Sequence, residues 1–102
     1  MRLVSAKVLK EFCTGHPIAA SAIRHWAQEM TVSRLGSFSD LRGRFPSADY
    51  VPPFTVFNLA GNKFRLIATV NYTTGSVFIR SVLTHAEYDK WTKRYRQGKI
   101  LP

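Results

Sequence analysis

The sequence is short of several features that would point to particular classes of protein. Its 102 residues include a single cysteine, Cys13, which excludes an internal disulfide and leaves a cysteine-based zinc site without enough ligands. No apolar run approaches the length that spans a bilayer. The opening segment MRLVSAKVLKEF is broken by charges and lacks the apolar core of a signal peptide. We therefore expect a cytoplasmic protein that forms a single domain over residues 1–102, with one small hydrophobic core.

Acidic residues are also scarce, and charge is the most informative global property of the chain. Fifteen Lys and Arg face six Asp and Glu, which gives a formal net charge of +9. The excess is uneven, because residues 1–50 carry seven basic and four acidic side chains, whereas residues 51–102 carry eight and two. Such an excess suggests an anionic partner, namely nucleic acid, an acidic protein or a membrane surface. The alternative is a charged surface that only keeps the protein soluble.

Familiar catalytic motifs are missing as well. The chain has no Gly-rich phosphate loop. Its three histidines and six acidic residues show no metal-ligand spacing, such as two histidines four residues apart on a helix. We therefore expect neither a metal nor another cofactor. If the chain is an enzyme, its residue types favour chemistry on a polyanion by Arg, His and Tyr.

The apolar pattern predicts mainly helices in the first half and strands in the second. MRLVS is a candidate strand, AKVLKEFCTG has helical spacing, and a second helix is expected from Pro17 to about Met30. SFSDLRGRFP predicts a helical turn, and SADYVPP an irregular segment before a strand that begins after Pro53. The remaining predicted elements are the strands FTVFNLA, KFRLIATVNY and SVFIRSVL and a helix over residues 84–97. The predicted fold class is α+β, in the order β-α-α-β-β-β-α, with helices packed on one face of an antiparallel sheet.

Two-residue hairpin turns at Gly61-Asn62 and Thr74-Gly75 predict which side chains share a face of this sheet. In the second hairpin, this register pairs Val70 with Ile79. The predicted core face comprises Phe57, Leu59, Phe64, Leu66, Ala68, Val70, Val77, Ile79 and Leu83. Ser81 is the one polar residue that the last two strands place on this face.

The opposite face of the predicted sheet carries two arginines, Arg65 and Arg80. Arg65 is expected beside Asn58 and near the corner formed by Thr84 and His85. One interpretation is that both side chains extend over a solvated surface. The other is that they form a clamp for a phosphate dianion.

The corner between the last strand and the last helix has the sequence LTHAEY. Thr84 and Glu87 predict a capping box, in which each side chain accepts from the other residue's backbone amide. Leu83 and Tyr88 have the spacing of a hydrophobic staple. The cap does not explain His85, because the positive end of a helix disfavours a charged histidine. A neutral histidine beside the strand arginine could accept or relay a proton.

The stretches VFNLAGNKFRLIATVNY and VFIRSVLTHAEYDKW together resemble the HigB toxins of bacterial type II toxin–antitoxin systems, which belong to the RelE-like superfamily. The matching motif runs from Val56 to Lys90, and the segment from AKVLKEF to FPSADY fits the family's amino-terminal layout. The resemblance implies a RelE-like fold and an mRNA interferase. Such an enzyme is a metal-independent endoribonuclease that cuts mRNA on the ribosome by attack of the RNA 2′-hydroxyl. A HigA-type antitoxin neutralises it.

The resemblance also assigns roles to residues that match the family motif. Arg65 would stabilise the transition-state phosphate, Arg80 would be a second phosphate contact, and His85 and Tyr88 would supply acid–base or positioning groups. Tyr88 could instead stack on an unpaired base. The other candidate RNA contacts are Lys63, Asn58, Asn71, Lys90, Lys93 and Arg94.

One departure from the family pattern concerns the residues before Tyr88. Many RelE-like relatives carry a basic GHRR-type run there, whereas this chain has THAEY, with Ala86 and Glu87 at the positions of the arginines. The identities of the general acid and base therefore stay open. The alternative function is a non-catalytic RNA- or ribosome-binding module of the same fold. A domain that binds an acidic protein or a membrane is less favoured, because the chain lacks an amphipathic stripe suited to it.

Overall fold

The computed structural model describes residues 1–101, and these residues form an α+β fold, as predicted. The elements in chain order are β1 (Arg2–Val4), α1 (Lys7–Gly15), a 3₁₀ turn (Pro17–Ala19), α2 (Ala20–Val32), α3 (Phe38–Arg44), β2 (Asp49–Val51), β3 (Phe54–Leu59), β4 (Phe64–Asn71), β5 (Ser76–Thr84) and α4 (His85–Arg96). No helix within residues 1–101 is both long and apolar enough to cross a membrane.

The five strands form one sheet in the order β1-β5-β4-β3-β2. Strands β2 to β5 pair antiparallel, whereas β1 pairs parallel with β5, with Leu3 opposite Val77. The prediction of an antiparallel sheet is therefore wrong at this edge. The reason is topological. Helices α1, α2 and α3 carry the chain from β1 to β2 at the opposite edge of the sheet, and the following strands lead back until β5 lies parallel beside β1.

The segment SADYVPP is expected to be irregular, but its middle residues form strand β2. Asp49 pairs with Val56, and Val51 pairs with Phe54. Pro52 and Pro53 occupy the turn between the two strands. Proline disrupts a ladder only where its missing N–H would have paired. Two prolines in the turn therefore leave the short edge strand β2 and its interior neighbour β3 intact.

Helices α1, α2 and α3 pack on one face of the sheet and form the larger core. The predicted spacing of α2 is confirmed, because Ile23, Trp26 and Met30 are all buried. The Trp26 ring meets Phe57 of the sheet edge-on, with 5.2 Å between ring centroids. Leu41 of α3 is also fully buried in this core. We call this side of the sheet the first face.

Helix α4 packs on the opposite side, which we call the second face, so the prediction that all helices share one face is wrong. A smaller core there contains the buried residues Phe54, Val56 and Ile67. The aromatic residues of α4 cover it, at positions 88, 91 and 95. This spacing places them along one side of the helix. Because β3 and β4 are apolar on both faces, the sheet is stable only with a cover on each side.

The first hairpin has the predicted register, whereas the second does not. Phe57 lies opposite Leu66, as predicted. In the second hairpin Val70 pairs with Val77 and not with Ile79, because the turn occupies four residues, 72–75. A shift of two residues keeps each side chain on its predicted face, so this part of the core is preserved.

A β-bulge at Arg80 changes the faces of the residues that follow it. Ala68 pairs with Ile79 and Ile67 pairs with Ser81, which leaves Arg80 as the extra residue. One extra residue reverses the alternation of side chains beyond it. Val82 therefore joins the larger core and Leu83 the smaller one, which corrects the predicted core position of Leu83. Ser81 leaves the first face for the same reason.

Ser81→Asp and Val82→Asp distinguish the bulged register from a regular one. Val82 is buried and Ser81 is partly exposed. An unpaired carboxylate at residue 82 is expected to cost about 3–5 kcal/mol of unfolding free energy, and one at residue 81 about 1 kcal/mol or less. Urea denaturation of both variants measures the difference. A regular ladder would place Ser81 in the core, so the opposite order of stabilities would contradict the bulge.

Candidate active site on the second face

Arg65 lies at the start of β4, between Asn58 of β3 and Leu83 of β5. Its Nη1 donates hydrogen bonds to the carbonyl oxygens of Asn62, at 2.7 Å, and of Phe64, at 3.2 Å. Its Cζ lies 5.4 Å from the centroid of the Tyr88 ring, a cation–π contact. These contacts fix the guanidinium through Nη1 and one flat side. Its other N–H groups make no hydrogen bond within residues 1–101, so they can bind a phosphate.

The hairpin turn before Arg65 positions its side chain. Lys63 N donates to Ala60 O at 3.3 Å, which closes the predicted two-residue turn. Gly61 and Asn62 both have positive φ, at 61° and 71°, as a type I′ turn requires. The carbonyl of Asn62 that this conformation presents is the main acceptor for Arg65.

The predicted capping box at the start of α4 is confirmed. Glu87 N donates to Thr84 Oγ1 at 3.3 Å, and Thr84 N donates to Glu87 Oε1 at 2.8 Å. The hydrogen bond from the Thr84 backbone lowers the pKa of the Glu87 carboxyl below its ordinary value. His85 N donates to Lys63 O at 3.1 Å. This last bond attaches the helix start to the hairpin turn, and so holds His85 at the same end of the sheet as Arg65.

The His85 side chain has a partner that the sequence analysis did not identify. Its Nδ1 lies 3.5 Å from Oδ2 of Asp89, and both side chains are exposed. A carboxylate in this position can orient the imidazole. The signal was present in the sequence, because residues four apart on a helix are neighbours.

Tyr88 is partly buried between Arg65 and the smaller core. Burial raises the pKa of its hydroxyl, the negative charges of Asp49 and Asp89 raise it further, and Arg65 acts in the opposite direction. The hydroxyl is therefore protonated at neutral pH and can donate a hydrogen bond or a proton. Asp49 was missed as a neighbour of this site because its segment was predicted to be irregular.

A ladder of aromatic rings holds α4 against the sheet. Tyr88 stacks on Trp91 and Trp91 on Tyr95, with centroid distances of 5.7 and 5.5 Å and interplanar angles of 14°. Phe54 meets Trp91 edge-on at 5.4 Å. At the far end, the Tyr95 hydroxyl donates to Pro52 O at 2.6 Å. The helix is thus anchored at both ends, and Tyr88 has little freedom to leave Arg65.

The structure does not bring all the predicted site residues together. Arg80 is exposed at the bulge and lines a separate depression with Asn71, and Arg65, His85 and Tyr88 are not part of its lining. Asn71 has a structural role of its own, because its Oδ1 accepts from Thr74 N at 3.0 Å in the second hairpin turn.

The remaining predicted RNA contacts lie on the strand, turn and helix that meet at the corner. Asn58 is partly buried on the strand beside Arg65, and Lys63 is exposed in the hairpin turn. Lys90, Lys93 and Arg94 are exposed on α4. Lys90 and Arg94 line one shallow depression of about 370 Å³ beside Leu83 and Trp91.

An α+β fold whose mixed sheet carries a basic, partly aromatic corner is expected of a RelE-like toxin. Comparison with known proteins supports this class of protein. The family model described as HigB_toxin, the RelE-like toxic component of a toxin–antitoxin system, matches residues 19–91. The chain belongs to this HigB toxin family, as its motifs predicted.

Relatives of nearly the same length carry the family name. The mRNA interferase HigB of Escherichia coli O6:H1 is 28% identical over 102 residues, covering 97% of this chain and 99% of the relative. The mRNA interferase toxin HigB of Escherichia coli K12 is 31% identical over 103 residues, with the same coverage. The mRNA interferase HigB of Shigella flexneri is also 31% identical, again with the same coverage.

Replacing either half of the capping box is expected to destabilise the corner. Thr84→Ala should lower the unfolding free energy by about 0.5–2 kcal/mol. Glu87→Ala should also be destabilising at neutral pH. Because folding lowers the pKa of Glu87, its contribution is complete above the pKa of the unfolded chain and is lost as the pH falls through the folded value. Chemical denaturation from pH 7 to pH 3 measures this loss.

Glu11→Ala is the matched control for this experiment, because Glu11 is an exposed helical glutamate whose pair with Lys7 is solvated. Its stability should differ little from wild type at any pH. A Glu87→Ala deficit that persisted undiminished in acid would contradict the role assigned to the carboxylate.

Proposed function

We propose that the chain is an mRNA interferase, a toxin that cleaves mRNA as an endoribonuclease, with Arg65 at the centre of its active site. The observation that carries the proposal is the geometry of Arg65, which is held through Nη1 and by the Tyr88 ring, while its other donors form no hydrogen bond with any of residues 1–101. The names of relatives that match almost the whole chain support the same activity. The net charge of +9 suits a polyanionic substrate.

The proposed reaction needs no group from outside the chain and the RNA. The RNA 2′-oxygen attacks the adjacent phosphorus, the bond from phosphorus to the 5′-oxygen breaks, and the products are a 2′,3′-cyclic phosphate and a 5′-hydroxyl. The 2′-hydroxyl proton must be accepted, and the departing 5′-oxygen must receive one. Arg65 would stabilise the charge that develops on the non-bridging oxygens, which is often the largest single catalytic contribution.

His85 and Tyr88 are the candidates for the two proton transfers. His85 has one ring nitrogen beside Asp89, and the other can meet the substrate. We assign it the role of base toward the 2′-hydroxyl. Tyr88, whose raised pKa keeps its hydroxyl protonated, is assigned the role of donor toward the 5′-oxygen. Asp89 would be a positioning residue for His85.

The partners follow from the family and the charge. We propose that the toxin acts in the cytoplasm on mRNA bound to the ribosome and that a HigA-type antitoxin neutralises it. Lys63, Lys90, Lys93 and Arg94 would contact RNA backbone, because all four are exposed and cations near phosphates are the main source of RNA affinity. Since Arg65 supplies the positive charge at the phosphate, the proposed cleavage step itself needs no metal ion.

Arg65→Ala is expected to lower cleavage by at least about 10²-fold, the usual effect of losing one oxyanion donor. The protein is added to a translating extract, and 3′-truncated mRNA is quantified by primer extension. Arg42→Ala is the matched control, since Arg42 is an exposed arginine of α3 on the first face. Both variants should fold, as judged by thermal melts. Wild type that bound ribosomes but left mRNA intact would instead support a non-catalytic binding module.

Substitutions of Tyr88 separate its hydroxyl from its ring. Tyr88→Phe keeps the stack on Trp91 and the contact with Arg65, so a loss of about 10²-fold or more in kcat with an unchanged KM would identify proton donation. Tyr88→Ala should also raise KM, because Arg65 loses its support. His85→Ala should lower kcat in the same way as Tyr88→Phe. Full activity of both His85→Ala and Tyr88→Phe would contradict the proton-transfer roles.

A further inference from the structure

A second depression lies at the end of the sheet where β3 begins, apart from the Arg65 corner. Its volume is about 430 Å³, and its principal lining residues are Tyr50, Pro53, Thr69, Asn71, Phe78 and Arg80. The resemblance to the family made Arg80 a second phosphate contact of the active site, and Asn71 was a candidate RNA contact without a stated place. It said nothing of the aromatic residues that share its depression.

The two aromatic residues of this depression are unusually exposed. Tyr50 is 56% exposed and Phe78 is 37% exposed, and they are the aromatic members of the small group of exposed large apolar residues within residues 1–101. Phe78 pairs with Thr69 on the second face. Tyr50 pairs with Thr55, so its ring lies on the first face, 5.6 Å from the ring of Phe38. Phe78 is therefore the aromatic ring that the depression offers on the second face. An exposed ring at a polar depression is a surface on which an unpaired base can stack.

The polar residues of the depression supply the other contacts that a nucleotide needs. Asn71 Oδ1 is occupied by Thr74 N, so the amide nitrogen of Asn71 is the group that can donate to a base. Arg80 lies at the β-bulge, outside the regular strand pairing. Bulges often redirect a side chain beside a functional site. A guanidinium next to an aromatic floor suits the phosphate of a nucleotide whose base is stacked.

The depression is also suitably placed relative to the proposed active site. Thr69 is four residues from Arg65 on the same strand, a distance of about 13 Å at roughly 3.3 Å per residue. Both side chains belong to the second face. Lys90 and Arg94 line a depression beside Leu83 of β5, on the strand that leads to Arg80 and Phe78. A single RNA strand can therefore contact cations along its course between the two places.

We propose that this depression binds one unpaired nucleotide of the substrate RNA, at a position away from the cleaved bond. Phe78 stacks on the base, Asn71 reads its edge, and Arg80 contacts its phosphate. The inference rests on the proposed endoribonuclease function and extends it, because it identifies residues that set sequence preference without taking part in the cleavage step.

The test measures binding and cleavage separately. Binding of the purified protein to a short single-stranded 2′-O-methyl RNA, which lacks the attacking hydroxyl, is followed by fluorescence anisotropy. Phe78→Ala is expected to weaken binding roughly 5- to 150-fold, the usual range for loss of base–aromatic stacking, and Phe78→Trp should restore it. Ile18→Ala is the control, since Ile18 is a large apolar residue, 69% exposed, in the turn between α1 and α2. It should bind like wild type.

Arg80→Ala is expected to weaken binding and to reduce the slope of log affinity against log salt by about one. With cleavable mRNA, Phe78→Ala should change the distribution of cut sites while cleavage still requires Arg65. If Phe78→Ala binds RNA like wild type, or if Ile18→Ala weakens binding equally, the nucleotide site is wrong. The proposed nucleotide site is also contradicted if Phe78→Ala leaves RNA binding unchanged and weakens only binding to a protein partner.

These outcomes differ from a failure of the proposed function. If cleavage depends on Arg65 and Phe78→Ala binds RNA normally, the proposed nucleotide site is contradicted and the proposed endoribonuclease function is not. Wild type that neither cleaves nor binds RNA would overturn both proposals.

Discussion

The candidate active site depends on one hairpin turn. Two consecutive carbonyls of that turn hold different parts of the site: Asn62 O accepts from Arg65, and Lys63 O accepts from the backbone of His85. Their directions follow from the left-handed conformation of the turn, which Gly61 adopts without strain. The turn therefore couples a strand arginine to the start of a helix that is distant in sequence. A flexible loop in this place would leave neither group positioned.

Helix α4 supplies the second constraint. Its capping box fixes where the helix begins, and its stacked rings fix how the helix lies on the sheet. Arg65 meets the first ring of that stack, so the guanidinium rests on a surface that the smaller core supports. Preorganised charge is most effective where water is partly excluded. Packing on the second face thus serves stability and the site together.

The parts of the fold that could be predicted from sequence were those set by local interactions. The first hairpin follows from its Gly-Asn turn, the buried side of α2 from its spacing, and the cap of α4 from Thr84 and Glu87. The parallel pairing of β1 and the bulge at Arg80 depend on where distant segments meet. Nothing local signals an extra residue in a strand, which is why Ser81 and Leu83 were assigned to the wrong face. A helix on the second face was missed because the first face already had a plausible cover.

The same division applies to the site. Arg65 and His85 were predicted together because the hairpin register brings a strand position next to a helix start, and the family resemblance added Tyr88. Arg80 was grouped with them by its predicted face and by the same resemblance. Yet the bulge and its distance along the sheet place it in another depression, beside Phe78 and Tyr50. Two side chains on the same face of a sheet need not be neighbours, because their positions along the strands depend on the register. The separation of the two arginines argues for two tasks on one surface, one at the phosphate that reacts and one at a nucleotide that does not.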